Sequence, residues 1–413
     1  MPERGEALSA RTSEPDLPDG PTGSAGEVFR AALGLGLTSF GGPIAHIGYF
    51  ERAYVRKRKW LGADEFAGVV ALCQLIPGPA SSQLGFLIGL RRAGWRGGIA
   101  AWLGFTLPSA LLMFAFAVLA PRLSGPLAGA GIHGLKLVAV AVVAQAVWNM
   151  ARTMGADSAR IAIALVAALP LFAGAGPVAQ MLALATGAAG GLLLCRNIPP
   201  GRAAVRRLPV SPRAGTVSLV LFAALLFGLP AVGGHGLIGM AAVFYRAGAL
   251  VFGGGHVVLP LLRGGLVPGG WLADGTFLAG YGAVQAVPGP LFAFAAYLGA
   301  VIAPPGSGLG VSAAWSAAAL CALFLPGLLV GIAGVPVWNW MGQHRLARGA
   351  AAGINAAVVG ILGAALYDPV WTGAVLKPVD AAIAAGGFLL LQIWRVPPVA
   401  VVGCVVAAGM IAG

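Results

Sequence analysis

Long apolar stretches separated by short polar or basic stretches follow one another along almost the whole chain. Nine of them are long enough to form helices that cross a bilayer, whose hydrocarbon core is about 30 Å thick. They lack the polar–apolar alternation that strands of a transmembrane barrel show. The pattern therefore predicts an all-α polytopic membrane protein. The nine predicted spans are approximately 98–120, 127–150, 160–175, 177–194, 215–232, 307–335, 349–367, 376–392 and 396–412.

Four further apolar segments are interrupted near their middle, which gives about 13 apolar segments in all. The interruptions form two matching pairs. The Phe-Gly-Gly breaks are Phe40-Gly41-Gly42-Pro43 and Phe252-Gly253-Gly254-Gly255; the Pro-Gly-Pro breaks are Pro77-Gly78-Pro79 and Pro288-Gly289-Pro290, 211 positions apart. Proline lacks a backbone donor and clashes with the preceding turn. A break in a helix within lipid leaves backbone groups without hydrogen-bond partners, which protein or water must then supply. Matching breaks therefore indicate a site.

The charges of the flanking loops favour re-entrant hairpins over broken spanning helices. The segment 64–92 is preceded by five basic residues between positions 52 and 59 and followed by Arg91, Arg92 and Arg96. Basic loops prefer the cytoplasmic side. A hairpin with Pro-Gly-Pro at its tip returns to the side it left and satisfies both loops. We therefore expect four re-entrant segments beside the nine spans.

The two sets of breaks predict an internal repeat. One connecting span lies between the copies, so the second copy is expected to be inverted, and its flanking loops are accordingly poor in Lys and Arg. Inverted repeats with broken helices are typical of secondary transporters with a site near the bilayer midplane. The predicted organisation is a disordered cytoplasmic tail at 1–26, a first transporter repeat at 27–194, a basic linker plus connecting span at 195–238, and a second, inverted repeat at 239–413.

Composition supports membrane insertion and excludes several other classes. The chain is 58% hydrophobic and 9% charged, and its net charge of +13 lies in clusters between apolar stretches. Such clusters orient loops, and without a basic face on a soluble domain nucleic-acid binding is not expected. The four cysteines are widely separated, so neither a disulfide framework nor a metal site is predicted. No motif indicates a cofactor or an enzyme.

The candidate substrate-binding residues lie at the four breaks and on one span. Those of the first half are Phe40, Gly41, Gly42, Pro43, His46, Gln74, Pro77, Gly78, Pro79, Ser81, Ser82 and Lys136, and those of the second half are Phe252, Gly253, Gly254, His256, Gln285, Pro288, Gly289 and Pro290. Half-helix N-termini supply amide donors and a positive field, which suit a dianion. We expect the first Pro-Gly-Pro tip to hold the anion, because hydroxyls follow it. The second tip, followed by Leu291 and Phe292, is expected to shape or gate the path.

Each polar candidate also has a structural alternative. Ser81 and Ser82 could cap the helix that follows the break. Gln74 and Gln285 could donate to an anion or satisfy freed carbonyls. The glycines could only shape the backbone.

The histidines and buried basic residues have alternatives of the same kind. His46 and His256 could couple protons, contact the anion or make structural hydrogen bonds. Lys136 lies near the middle of a predicted span, where it could attract the anion, pair or snorkel. Arg30 and Arg246 are shallower charge partners.

Deep carboxylates are scarce, which bears on how transport would be driven. Asp380 is the main one, and Lys377 three residues earlier is its expected partner. A dianion leaving a negative interior gains about 4.6 kcal/mol across roughly 100 mV, because each charge gains about 2.3 kcal/mol. Uniport or anion exchange is therefore sufficient for efflux.

Three motifs together resemble the signatures of the chromate ion transporter family. They are the stretches 39–46 (Ser-Phe-Gly-Gly-Pro-Ile-Ala-His), 74–79 (Gln-Leu-Ile-Pro-Gly-Pro) and 287–292 (Val-Pro-Gly-Pro-Leu-Phe). The resemblance covers both halves, as in the two-domain members of that family. It implies a multi-pass bacterial inner-membrane protein that exports chromate, with sulfate as the related oxyanion. A sulfate or other anion transporter, or a channel, stays an alternative, and the oligomeric state, including a homodimer, is left open.

Overall fold

The computed structural model describes residues 22–122, 125–155, 157–173, 177–195, 208–234 and 236–412. These residues form helices joined by short loops and contain no strand. The all-α polytopic class predicted from the hydrophobic pattern is thus confirmed. In chain order the helices of the first half are α1 Ala25–Thr38, α2 Gly42–Phe50, α3 Ala63–Leu75, α4 Ala80–Leu119, α5 Pro126–Met154, α6 Ser158–Ala173 and α7 Pro177–Leu194.

The remaining helices begin after the basic linker. They are α8 Pro212–Val232, α9 Leu237–Ala249, α10 Val258–Leu266, α11 Asp274–Val284, α12 Phe294–Ile302, α13 Leu309–Gln343, α14 Arg345–Ala365, α15 Thr372–Ala374, α16 Pro378–Gln392 and α17 Pro398–Ala412. Short 3-10 turns at Gly255–Val257 and Leu291–Ala293 lead into α10 and α12. A π-helical turn, Glu51–Lys57, extends α2.

Five helical stretches among the described residues are long and apolar enough to cross a bilayer. They are Ala80–Arg122, Pro126–Met154, Pro212–Val232, Leu309–Trp338 and Arg345–Ala374. The other four predicted spans correspond to α6, α7, α16 and α17, which have only 16, 18, 15 and 15 residues. Prolines begin α7, α16 and α17, where a proline fits because its missing donor is not needed in the first turn.

Three boundaries differ from the sequence prediction or fall outside the described residues. α1 begins at Ala25, inside the predicted tail 1–26, because the Ser24 side chain accepts a hydrogen bond from the Glu27 amide and caps it. Residues 1–21 of that tail and 196–207 of the linker lie outside the described residues. The predicted arm 80–92 and span 98–120 form the single helix α4, which bends at Ala93 and Gly94.

Both Pro-Gly-Pro segments fold back on themselves. At the base of the first, the Glu65 carboxylate in α3 pairs with Arg91 in α4 at 3.0 Å. At the base of the second, the Tyr297 hydroxyl in α12 donates to the Thr276 carbonyl in α11 at 3.0 Å. The two arms of each segment therefore run side by side, which is the geometry of a hairpin rather than of an extended broken helix.

The Phe-Gly-Gly segments fold back in the same way, each with a tryptophan at its base. The Trp60 indole donates to the Glu27 carboxylate at 3.2 Å, near the start of α1. In the second half the Trp271 ring lies against Gly239, near the start of α9. Trp60 and Trp271 are 211 positions apart, and Glu27 and Gly239 are 212 apart, so the two halves place matching residues at matching points.

The two halves bond to each other through their hairpin tips, and the bonds are reciprocal. The Gly78 amide of the first Pro-Gly-Pro donates to the Val251 carbonyl at 2.7 Å, just before the second Phe-Gly-Gly break. The Gly289 amide of the second Pro-Gly-Pro donates to the Ser39 carbonyl at 2.8 Å, just before the first Phe-Gly-Gly break. Such exchange of equivalent contacts is what a two-fold relation between the halves produces.

Glycine is required at both tips. Gly78 has φ +125° and Gly289 has φ +99°, which L side chains rarely adopt. A β-carbon on Gly78 would lie 2.7 Å from the Gly327 Cα in α13, and one on Gly289 would lie 2.9 Å from the Ser109 hydroxyl in α4. Each tip is thus wedged against a long helix, and in both cases that helix comes from the opposite half.

We expect Gly78→Ala and Gly289→Ala each to lower the free energy of unfolding by more than about 1 kcal/mol, because an L residue is strained at these φ values and its β-carbon meets fixed atoms. Thermal unfolding of the purified protein in detergent measures the change. Gly306→Ala is the matched control, since Gly306 has φ +74° but open space around it. Equal losses at all three positions would show that the tips are not wedged.

Candidate functional site

A small polar cavity of about 50 Å³ lies where hairpin tips of the two halves meet. That volume holds a few water molecules or a small ion. Gly41 and Gly42 come from the first Phe-Gly-Gly break, Gln285 and Gly289 from the second Pro-Gly-Pro segment, and His256 from the second Phe-Gly-Gly segment. Five sequence-predicted site residues are therefore brought together, although they are up to 248 positions apart in the chain.

Three helix starts face this cavity. α2 begins at Gly42, the 3-10 turn that leads into α10 contains His256, and the turn that leads into α12 begins at Leu291, which also lines the cavity. The first amides of a helix have no partner within it and carry a partial positive charge. The broken helices thus place partly positive helix starts at the cavity, and none of the described residues that line it is Lys, Arg, Asp or Glu.

His256 contributes an imidazole to this site, and a hydrogen bond to Tyr281 fixes the orientation of its ring. Its Nδ1 and the Tyr281 hydroxyl in α11 form a hydrogen bond of 2.8 Å, with the donor set by the tautomer. Its Nε2 points towards Gly42, 4.0 Å from the position of a β-carbon there. Tyr281 was missed by sequence reasoning; it lies one helical turn before Gln285, whose amide donates to the Tyr281 carbonyl at 3.3 Å.

His46 occupies a different environment. It is 1% exposed and packs edge-on against Phe105, with ring centroids 5.3 Å apart. Among the described residues neither of its ring nitrogens makes a hydrogen bond of good geometry, and the same holds for the hydroxyls of Ser39 and Thr106. Buried polar groups without partners are uncommon. His46 lies behind the first Phe-Gly-Gly break rather than on the cavity wall.

The first Pro-Gly-Pro tip is held by Gln83, a residue that sequence reasoning did not select. Its side-chain amide donates to the carbonyls of Pro77 and Gly327, both at 2.8 Å. Ser81 and Ser82 are buried beside it, and neither caps α4, which has no side-chain cap at Pro79. Gln83 lies in the first turn of a mostly apolar helical arm, and a long polar side chain in that place was the signal from which its role could have been predicted.

Lys136 lies away from the cavity. It is half-buried on α5, with its ammonium nitrogen beside Gly275 at the start of α11. One turn earlier His133 pairs with Asp380 at 3.0 Å. The Asp380 carboxylate also accepts from the backbone amide of Lys377 at 3.0 Å. The expected pairing of Asp380 with the Lys377 side chain is therefore replaced by a bond to its backbone, since Asp380 lies in the first turn of α16.

The other predicted residues lie around the breaks without lining this cavity. Gln74 is exposed, and Arg30 is exposed and donates to the Gly26 carbonyl. Arg246 is half-buried near Gly265. Pro77 and Phe252 line a second, larger cavity. The remaining members shape the breaks themselves: Phe40, Gly78, Pro79, Gly253, Gly254, Pro288 and Pro290; the side chain of Pro43 lies outside the described part of the chain.

The fold and this cavity define a polytopic helical membrane protein in which broken helices from two halves enclose a polar site, as in secondary transporters. Residues 26–193 and 238–412 match the family described as chromate transporter. Because these ranges cover most of the chain, the protein belongs to the chromate transporter family.

Curated relatives agree with this assignment. The chain is 29% identical to the chromate transport protein of Pseudomonas aeruginosa, over 93% of this chain and 91% of the relative. It is 28% identical to the probable chromate transport protein of Synechococcus elongatus, over 81% of each. It is 27% identical to the chromate transport protein of Cupriavidus metallidurans, over 81% of this chain and 80% of the relative. No solved structure is detectably similar.

We expect Gln83→Leu to lower the free energy of unfolding by about 1–3 kcal/mol, because the buried carbonyls of Pro77 and Gly327 lose their donor. Thermal unfolding in detergent measures this loss. Gln74→Leu, at the exposed side of the same break, is the matched comparison and should leave stability unchanged. An equal loss at both positions would contradict the role given to Gln83.

Proposed function

We propose that this protein is a secondary transporter that exports chromate across the bacterial inner membrane by alternating access and so confers chromate resistance. Its family and the chromate transport proteins among its relatives support chromate as the substrate. The observation that carries the proposal is the polar cavity at the meeting point of hairpins from both halves. A site shared by two halves can be exposed to either side when one half moves against the other.

Chromate is a tetrahedral dianion, and the chemistry of the cavity suits such a ligand. The helix starts at Gly42, Gly255 and Leu291 offer amides and positive dipole ends. His256, Gln285 and Gln145 add side-chain donors on the same wall. In this proposal the second Pro-Gly-Pro tip and the first Phe-Gly-Gly break contact the anion. The first Pro-Gly-Pro tip, with Ser81 and Ser82, does not line this cavity, and Gln83 holds it against α13.

The driving force needs no deep proton relay. A dianion that leaves a cell interior at a potential of roughly −100 mV gains about 4.6 kcal/mol. Asp380, the deep carboxylate that the sequence offered, pairs with His133 and caps α16, so it is committed to structure. Uniport or exchange therefore accounts for export.

Sulfate is the second candidate substrate. It has the same charge and tetrahedral shape as chromate, and the cavity offers backbone amides and neutral side chains that do not separate two such dianions. A sulfate transporter or exchanger would use the same residues.

Everted membrane vesicles that contain the protein should take up labelled chromate, because their outer face corresponds to the cytoplasm. Excess sulfate should reduce this uptake if the two anions share the site. Vesicles that contain a variant with Ala-Ala-Ala at positions 77–79 provide the control for the protein-dependent rate. Uptake of neither anion would contradict the proposal, and uptake of labelled sulfate alone would favour the second candidate.

His256→Leu should reduce kcat/KM for chromate uptake by about 10–100-fold, because it removes a hydrogen bond of about 1.5–3 kcal/mol to a charged ligand. Tyr281→Phe is the matched control, since it leaves the imidazole in place and removes only its partner; we expect a smaller loss. The initial rates in everted vesicles, normalised to the amount of inserted protein, give both values. A larger loss of kcat/KM for Tyr281→Phe than for His256→Leu would indicate that His256 has a structural role.

A further inference from the structure

A second cavity, of about 490 Å³, lies apart from the polar one. Its volume falls in the range of small-molecule sites, about 300–1,000 Å³. Three helices form most of its wall, and each contributes a stripe at the spacing i, i+3, i+4, i+7, to which α13 adds Pro336. The stripes run from Pro212 to Leu219 on α8, from Val330 to Val337 on α13, and from Ala347 to Ile354 on α14. With Thr216 as the polar exception, the side chains of these stripes are apolar.

The cavity has two distinct ends. Val337 and Ala347 each lie within seven residues of His344, which joins α13 to α14, and a β-carbon on Gly215 of α8 would lie 2.8 Å from the Pro336 ring, so these residues mark one end of the cavity. Val330 and Ile354 lie farther from the joint. Each stripe covers seven residue steps, or about 10 Å of helix. Leu75, Ile76 and Pro77, at the first Pro-Gly-Pro break, and Phe252, at the second Phe-Gly-Gly break, complete the wall. One end of the cavity therefore reaches the hairpin region.

The other end is basic. Arg213 follows Pro212 directly, and Arg345 and Arg348 flank Ala347. Arg213 and Arg345 are exposed, so their charges reach the surface within one helical turn of the cavity mouth. The positive-inside rule assigns this end to the cytoplasmic face, since the basic linker precedes α8. The cytoplasmic leaflet is the one that carries anionic lipids.

An apolar cavity with a basic mouth at a bilayer surface matches one class of ligand. Its wall would receive a hydrocarbon chain, and its arginines would receive an anionic headgroup. A dianion such as chromate would find few hydrogen-bond donors along this wall. This lack of donors distinguishes the cavity from the polar site.

We propose that this cavity binds an acyl chain of an anionic phospholipid from the cytoplasmic leaflet. The chain lies between α8, α13 and α14, and its end packs near Pro77. Bound lipid thereby fills the space beside the first Pro-Gly-Pro tip, whose Gly78 amide bonds to the second half. The lipid is a structural ligand that supports the contact between halves.

Native mass spectrometry of the purified full chain, incubated with phosphatidylglycerol or phosphatidylcholine, tests the proposal without any transport assay. We expect preferential retention of phosphatidylglycerol, and its loss in Thr216→Trp, which fills the cavity. Ala224→Trp is the matched control, since Ala224 is exposed on the same helix outside the cavity. Equal retention by the two tryptophan variants would overturn the proposal.

Arginine variants test the part of the proposal that concerns the anionic headgroup. Arg213→Gln and Arg345→Gln should each weaken retention of phosphatidylglycerol about fivefold, the value that one basic residue near an anionic surface contributes. Arg122→Gln, at an exposed arginine in the 3-10 turn that follows α4, should leave it unchanged. Equal retention of both lipids by the wild-type chain, or no effect of the arginine variants, would overturn the assignment of an anionic lipid. Since chromate plays no part in these measurements, their failure would leave the transport proposal standing.

Discussion

The fold depends on two reciprocal hydrogen bonds, from the Gly78 amide to Val251 and from the Gly289 amide to Ser39. Helices broken inside apolar surroundings leave backbone groups that cost several kcal/mol each when unpaired. Here a tip of each half supplies the donor that the other half's break requires. The two halves are therefore not independent units side by side, because the breaks of each half bond to the other half.

The same breaks create the chemistry of the site. A continuous helix keeps its amides within itself, whereas each interruption produces a new helix start with free donors. Three such starts, at Gly42, Gly255 and Leu291, adjoin one cavity, which Gly42, His256 and Leu291 line. The helix starts that the interruptions create supply the partly positive amides that attract an anion.

The two halves carry the same breaks but different side chains around them. The first Pro-Gly-Pro tip is clamped by Gln83 onto α13, while Phe294 stands at the matching position of the second half. The second tip instead lies beside His256 and Gln285 at the cavity. The first tip is therefore held against the opposite half, whereas the second tip lines the polar cavity. The apolar cavity adjoins the first tip.

The sequence by itself determined the helical class, the four breaks and the return of each broken segment, because proline, glycine and loop charge act through local backbone chemistry and the bilayer. Several helix starts follow the same local signals, such as Ser24 and Pro378. Only the tertiary structure decided that the second tip lines the cavity although hydroxyls follow the first, that Gln83 clamps the first tip, and that Tyr281 orients His256. Those contacts join residues up to 244 positions apart, and their partners are set by packing between halves, which no local pattern encodes.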